Sequence, residues 1–193
     1  MIGNDVVDLN LAERQSNWRR KGFLEKVFNP LERKIIAEFH DMHLAVWLLW
    51  SMKEAAYKAH QRKRSLPRRL NWKIQECIYV EFKKGKALGI VQIEDERYFS
   101  FSSLTSECIH TIAVDRENQD FEKVLFQVPL YKTKLLITLG MAMAIGVTLP
   151  ELHLKKIREG IPFIFYKNEA FPLALSFSDH GKFSGFCVSL MNS

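Results

Sequence analysis

Apolar residues dominate the chain from Leu44 to Ala59. Leu44, Ala45, Val46, Trp47, Leu48 and Leu49 are followed by Ala55, Ala56 and Ala59, with Lys53, Glu54 and Lys58 breaking the run. A segment that is hydrophobic nearly all round predicts a buried helix, from about His43 to Arg62. The chain then passes through Arg62-Lys63-Arg64-Ser65-Leu66-Pro67-Arg68-Arg69, and Pro67 prevents continuation. Upstream, Ile2 to Leu9 predicts a strand whose period-two alternation sets Asp5 beside Val7 and Leu9 on the apolar side. Leu11 to Phe28 reads as one or two short helices broken at Gly22. Asn29-Pro30-Leu31-Glu32 predicts a helix start, with Asn29 as cap, Pro30 in the first position and Glu32 closing a capping box.

From Trp72 the period becomes two. Ile74, Ile78, Val80 and Phe82 share a face, Lys83-Lys84-Gly85-Lys86 turns, and strands follow at Ala87–Ile93, Tyr98–Ser102 and Cys108–Val114, an antiparallel meander. A second change of composition falls near Asp120. Beyond it the pattern predicts a strand over Phe121–Val128, a helix over Tyr131–Gly146, a turn at Gly160-Ile161-Pro162, a strand over Phe163–Tyr166, and closing strands over Pro172–Ser178 and Phe183–Leu190. Ser100-Phe101-Ser102-Ser103 is echoed by Ser176-Phe177-Ser178-Asp179. Strand, helix and small meander thus occur twice, which predicts an α+β protein of two similar halves, residues 1–120 and 121–193.

Composition narrows the class. Of 193 residues, 47% are hydrophobic and 26% charged, a globular balance without a disordered signature. Cys77, Cys108 and Cys187 are odd in number and lie in apolar strands, so they read as reduced core residues. Asp5 and Asp8 interrupt the N-terminus where a signal peptide would turn apolar, and the apolar run Leu135–Leu149 is short for a bilayer, so the expectation is cytoplasmic with no membrane association. A net charge of +6 favours anionic partners: nucleic acid, coenzyme A or acidic carrier proteins.

Chemistry concentrates on the central helix. Trp50, Glu54, Tyr57 and Lys58 fall in one stripe, so a carboxylate and an ammonium share an otherwise apolar face. Glu54 and Lys58 can simply pair at i, i+4. Asp5 is a second acid in an apolar setting, and if the first strand packs on this helix, Asp5 and Glu54 can hold a hard cation such as Mg²⁺, leaving its other positions to water and phosphate. The basic run, including Arg62 and Arg64, is either a solvated face, a nucleic-acid patch or a grip on the phosphates of a cofactor reacting at Glu54 and Lys58. His110 shares a strand face with Cys108 and Ile112 and reads as structural, and His40-x-x-His43 lacks the accompanying ligands of a zinc site.

Gly3-Asn4-Asp5, followed by Trp50-x-x-Lys53-Glu54-Ala55-x-x-Lys58, resembles the Gly-x-Asp and Trp-x-x-Lys-Glu-(Ala/Ser)-x-x-Lys signatures of the 4′-phosphopantetheinyl transferases. Phe28 and Glu32 also fit that family. Gly160-Ile161-Pro162 and Ser176-x-Ser178-Asp179-His180 resemble the turn and Ser-x-Ser-His segment of the surfactin-synthetase type, although here they come last instead of first. The resemblance implies a monomeric pseudodimer with its halves in swapped order, or an elongated form of the trimeric holo-acyl-carrier-protein synthases. It also implies transfer of phosphopantetheine from coenzyme A to a serine of an acidic apo carrier protein. Asp5 and Glu54 would hold Mg²⁺, Glu54 and Lys58 would act in catalysis, and Lys53, Lys58, Arg62, Arg64 and His180 would contact coenzyme A. Three positions depart from the pattern: Val7 replaces a second acid, Ile161 replaces a lysine, and Asp179 displaces the histidine by one residue. A non-catalytic binder of coenzyme A or carrier, and a basic nucleic-acid-binding module, are the alternative readings.

Overall fold

Gly3 shows how the first strand meets the central helix. In the structure, a computed structural model that describes residues 1–67, 72–127, 138, 140, 142, 146, 148–156, 161–170 and 173–189, strand β1 (Ile2–Asp8) is buried along its whole length. A Cβ on Gly3 would stand 2.1 Å from the carbonyl oxygen of Ala55 and 2.6 Å from the amide nitrogen of Ala59. Only glycine therefore lets β1 lie directly on the small-residue stripe of the long helix, here α4 (Met42–Arg64). The odd side of β1 faces this helix. The even side faces the second half of the chain, where Ile2 clusters with Cys187, and Val6 with Phe183.

β1 forms one edge of a five-stranded antiparallel sheet with β2 (Gln75–Lys83), β3 (Lys86–Ile93), β4 (Glu96–Leu104) and β5 (Cys108–Val114), in the order β1-β5-β4-β3-β2. One face of that sheet packs on α4 in a core that includes Leu48, Met52, Val91 and Ile109. Its other face, with Ile112 and Val114, meets Cys187 and Phe121 of the second half. Three short helices, α1 (Leu9–Gln15), α2 (Phe23–Val27) and α3 (Pro30–Glu38), lead from β1 to α4. The expected capping box opens α3: the Asn29 side chain accepts the Glu32 N–H at 2.9 Å, and Glu32 Oε2 accepts the Asn29 N–H at 2.8 Å.

The second half contributes β6 (Phe121–Gln127), β7 (Leu152–Lys156), β8 (Pro162–Tyr166), β9 (Glu169–Ala170), β10 (Leu175–His180) and β11 (Phe183–Ser189). These form two antiparallel three-stranded sheets, β10-β11-β6 and β7-β8-β9. The architecture is α+β, with antiparallel sheets and few helices. The helix expected over Tyr131–Gly146 lies mostly outside the described residues.

Several boundaries differ from expectation for local reasons. β2 begins at Gln75 rather than Trp72, because Ile74 is exposed and does not face the core. β7 has only Leu152 and Leu154 as apolar residues, too few to stand out as a strand in the sequence. The two serine echoes both fall on strands, β4 and β10. All three cysteines are free and buried. Among the described residues no helix is long and apolar enough to cross a membrane.

Candidate active site

As an edge strand, β1 presents unpaired backbone groups along its outer side. Side chains of β10 satisfy them at every second residue. Asn4 N–H donates to Ser176 Oγ at 3.0 Å, Val6 N–H to Ser178 Oγ at 3.3 Å, and Asp8 N–H to His180 Nδ1 at 2.9 Å. Gly185 on β11 allows the close approach, since a Cβ there would meet His110 Nε2 at 2.9 Å, and the Asn4 amide donates to the Gly185 carbonyl at 3.0 Å. Backbone approach and side-chain bonding together bring the β10 residues against Asp5.

Between β1, α4 and β10 lies a cavity of about 340 Å³, with Asp5, Trp50, Glu54, Lys58, Ser178 and His180 among its lining residues. The Lys58 ammonium reaches across it, donating to the Asn4 carbonyl at 2.8 Å, to Asp5 Oδ1 at 3.2 Å and to Ser178 Oγ at 3.2 Å. Ser178 Oγ–H donates to Asp5 Oδ1, also at 3.2 Å. One hydroxyl from the second half thus touches the backbone, the carboxylate and the ammonium of the first half. His180 has its ring proton on Nε2, because Nδ1 accepts from Asp8, and Nε2 lies 3.2 Å from Gln15 Oε1. Asp8 caps α1 and accepts the N–H of Lys182 at 3.1 Å. Burial raises its pKa, but the backbone N–H groups of Lys182 and Leu11 outweigh this and hold it below the usual carboxylate value.

A family model described as the 4′-phosphopantetheinyl transferase superfamily matches residues 1–114. The chain belongs to that superfamily. It is a transferase of the phosphopantetheinyl type, whose family uses coenzyme A as a substrate and carrier proteins as partners. No curated protein matches the chain.

Within this phosphopantetheinyl transferase, Asp5, Glu54, Lys58 and His180 all reach the cavity, and three other residues expected at coenzyme A do not line it. Lys53 is buried and donates to Glu32 Oε2 at 2.8 Å and to the Val27 carbonyl at 2.8 Å, with its ammonium over the Phe28 ring. Glu32 Oε1 accepts the Cys77 N–H at 2.8 Å, so the pair is enclosed among the protein's own groups and lies away from the cavity. Arg62 leans into the second half. Its guanidinium donates to the Pro162 carbonyl at 3.2 Å and to the Leu175 carbonyl, and burial lowers its pKa to about 10. Arg64 sits at the far end of α4, 2.7 Å from Glu96 on β4. Lys63 joins that cluster at 3.5 Å, so these members of the basic run bind the protein's own acids. Ile161, standing where a lysine is usual, is buried.

Ser178 and Gln15 line the site without having been singled out as ligands. Ser178 lay inside the Ser-x-Ser segment, yet nothing in its neighbourhood in the chain shows that its partners are 120 and 173 positions away. His110 is structural, as expected: buried on β5 beneath Asn4, with its pKa pushed down to about 3 by burial and by the charges of Lys123 and Lys58.

Among the described residues no group of three His, Cys, Asp or Glu side chains is placed to hold a metal ion. Three carboxylate residues line the cavity, Asp5, Glu54 and Asp179, of which Asp5 and Glu54 come from β1 and α4. That set fits a hard cation that keeps several waters and binds substrate phosphates, as Mg²⁺ does, better than a cation needing a full protein cage.

Proposed function

We propose that this protein transfers the 4′-phosphopantetheine arm of coenzyme A to a serine hydroxyl of an acidic apo carrier protein, in the manner of a holo-acyl-carrier-protein synthase, and releases 3′,5′-adenosine bisphosphate. The observation that carries this reading is the convergence of Asp5 from β1, Glu54 and Lys58 from α4, and His180 from β10 on one cavity. Asp5 and Glu54 would hold Mg²⁺, which when bound supplies charge neutralisation at the diphosphate. Lys58 leaves Asp5 for a phosphate oxygen and offsets the charge that grows there during transfer. Glu54 takes the proton as the carrier serine oxygen bonds to the β-phosphorus, and the bond from that phosphorus to the bridging oxygen breaks. His180, at the end of β10, donates from Nε2 to a phosphate in place of Gln15. Arg14, Arg19, Arg20 and Lys21, all exposed around α1 and α2, supply positive charge for the carrier's acidic surface.

We also read the chain as a monomeric pseudodimer with halves in swapped order. The three bonds from β1 to β10 support this, because they let one chain supply both walls of the cleft. Mass spectrometry of an apo carrier incubated with coenzyme A, Mg²⁺ and the protein tests the activity: the carrier gains one phosphopantetheine. Glu54→Gln lowers the rate by about 10²-fold or more while the melting temperature holds. Near-normal transfer by that variant would remove Glu54 from both roles.

A further inference from the structure

An ammonium carries three N–H groups, and three oxygens accept from that of Lys58: the Asn4 carbonyl at 2.8 Å, Asp5 Oδ1 at 3.2 Å and Ser178 Oγ at 3.2 Å. Every donor of this lysine is therefore engaged within the protein. Its stem is held at the base, since a Cβ on Gly3 would stand 3.0 Å from Lys58 Cβ. The tip can still move, because a flexible aliphatic stem carries it and the side chain is 24% exposed at the cavity.

A carbonyl, a carboxylate and a hydroxyl around one positive charge are the oxygens that a hard cation takes. The ammonium thus stands where a metal ion would compete for Asp5. A divalent ion that arrives alone meets like charge within the width of one carboxylate, and the repulsion between a dication and an ammonium at such range is worth about tenfold or more in affinity. It also draws Asp5 away from Lys58 while offering no acceptor in return.

A divalent ion that arrives on a diphosphate differs on both points. The two ionised oxygens of the diphosphate diester balance its charge, so little repulsion remains. Phosphate oxygens also give Lys58 an acceptor to turn to. Ser178, from the second half of the chain, takes part in the same exchange, because its oxygen accepts from Lys58 and its hydroxyl donates to Asp5.

We infer that Lys58 is a specificity-determining residue that makes the Asp5 site take a divalent ion together with a diphosphate and disfavour the free ion. This selection rests on the proposed transfer for the identity of the diphosphate, that of coenzyme A. It makes the lysine a selector of the metal's form in addition to a phosphate contact. Metal and coenzyme A then strengthen each other's binding through the exchange at Lys58, by the same factor in both directions.

Electron paramagnetic resonance of free Mn²⁺ measures metal affinity with no carrier present, so that no transfer takes place. Lys58→Met keeps the bulk of the stem and removes the charge. Lys58→Gln retains a donor for the Asn4 carbonyl and guards against a packing defect in the first variant. Without coenzyme A, both variants bind Mn²⁺ about tenfold more tightly than the native protein. Coenzyme A closes the gap, because it tightens Mn²⁺ binding about tenfold more in the native protein than in either variant. 3′,5′-Adenosine bisphosphate, which has no diphosphate, leaves the gap open. Lys182→Met removes a charge that is paired with Glu107 instead of Asp5, and changes Mn²⁺ affinity by less than about twofold. Equal Mn²⁺ affinities in the native protein and both Lys58 variants would overturn the inference, as would an equal gain in Lys182→Met or a coenzyme A effect of one size in all the proteins. Failure of the transfer reading alone looks different: the native protein then loads no carrier, while both Lys58 variants still bind Mn²⁺ more tightly.

Discussion

Two carboxylate–lysine pairs hang from α4, five residues apart, and they have opposite characters. Lys53 and Glu32 have side-chain exposures of 1% and 0%, and they are bonded further to Asn29, Val27 and Cys77. Lys58 and Asp5 have 24% and 11%, meet at the looser distance of 3.2 Å, and share Ser178 from the other half of the chain. A sealed pair holds layers together: Glu32 ties α3 to β2 and α4. An open pair at a cleft can change partners. Lys58 can exchange Asp5 for a phosphate at small cost, whereas Lys53 cannot leave Glu32 without stranding a charge in the core.

Breaking the sealed pair gives the largest effect. Lys53→Met leaves the Glu32 carboxylate buried without its counter-charge and destabilises by about 3–5 kcal/mol. The double variant Glu32→Gln with Lys53→Met recovers much of that loss in thermal melting. Lys58→Met, by contrast, changes stability by only about 0–1 kcal/mol, because its pair is partly solvated, while transfer to the carrier collapses. Equal melting losses at the two lysines would erase the distinction.

Gly3→Ala attacks the contact that places the open pair. The added methyl meets backbone atoms of Ala55 and Ala59, so trimming side chains cannot relieve it. Overpacking of this kind costs about 1–3 kcal/mol, and the displacement of β1 carries Asp5 away from Glu54 and Lys58. Chemical denaturation and the carrier-loading assay both register the change, and a melting curve like that of the unmodified protein would mean that β1 does not lie against α4 in solution.

The chain announces its chemistry where a polar residue violates a strong local pattern. Asp5 in an alternating apolar strand and Glu54 in an apolar helix are such violations, and both reach the cleft. Lys53 violates the same helix pattern yet stays away from the cleft, and one-dimensional reading does not reveal that Glu32 lies against it. The Glu32 capping box was legible, being a matter of three-residue spacing. Its second oxygen, bound to Cys77 across 45 positions, was not. Arg62 and Arg64 misled for a similar reason. A basic run looks solvated or ligand-binding until the carbonyls of Pro162 and Leu175, and the carboxylate of Glu96, are brought beside it. Helices and strands with regular patterns were readable, whereas β7, with two leucines among polar residues, was not.

Ser178→Ala sharpens the contrast from the far side of the cleft. It removes the hydroxyl that donates to Asp5 and accepts from Lys58 and Val6 N–H, and the partly solvated surroundings place the stability loss near the lower end of about 1–3 kcal/mol. Transfer falls further than stability, with a raised Mg²⁺ requirement, since Asp5 loses the donor that orients it. Ser178→Thr restores both. A Mg²⁺ titration in which the alanine variant matches the unmodified protein would show that Asp5 is held without help from β10.

At neutral pH the smallest effect concerns the floor beneath the open pair. His110 is buried under Asn4, and its pKa is depressed from 6.5 to about 3, first by burial and then by the charges of Lys123 and Lys58. The unfolded chain takes up a proton at this histidine as pH falls through 6.5, and the folded protein does not until about pH 3. Stability contributed by neutral His110 is therefore complete above pH 6.5 and declines as pH falls toward 3. Between pH 6.5 and 5.5 the loss is roughly 1 kcal/mol, rising toward about 1.4 kcal/mol per unit below that. Denaturant melts at stepped pH should show this slope in the native protein and a shallower one in His110→Asn. In Lys58→Met the decline should begin at the same pH but end higher, because one of the charges that keeps the imidazole neutral is gone. A Lys58→Met profile identical to that of the native protein would mean that the open pair and the histidine behind it are electrostatically independent.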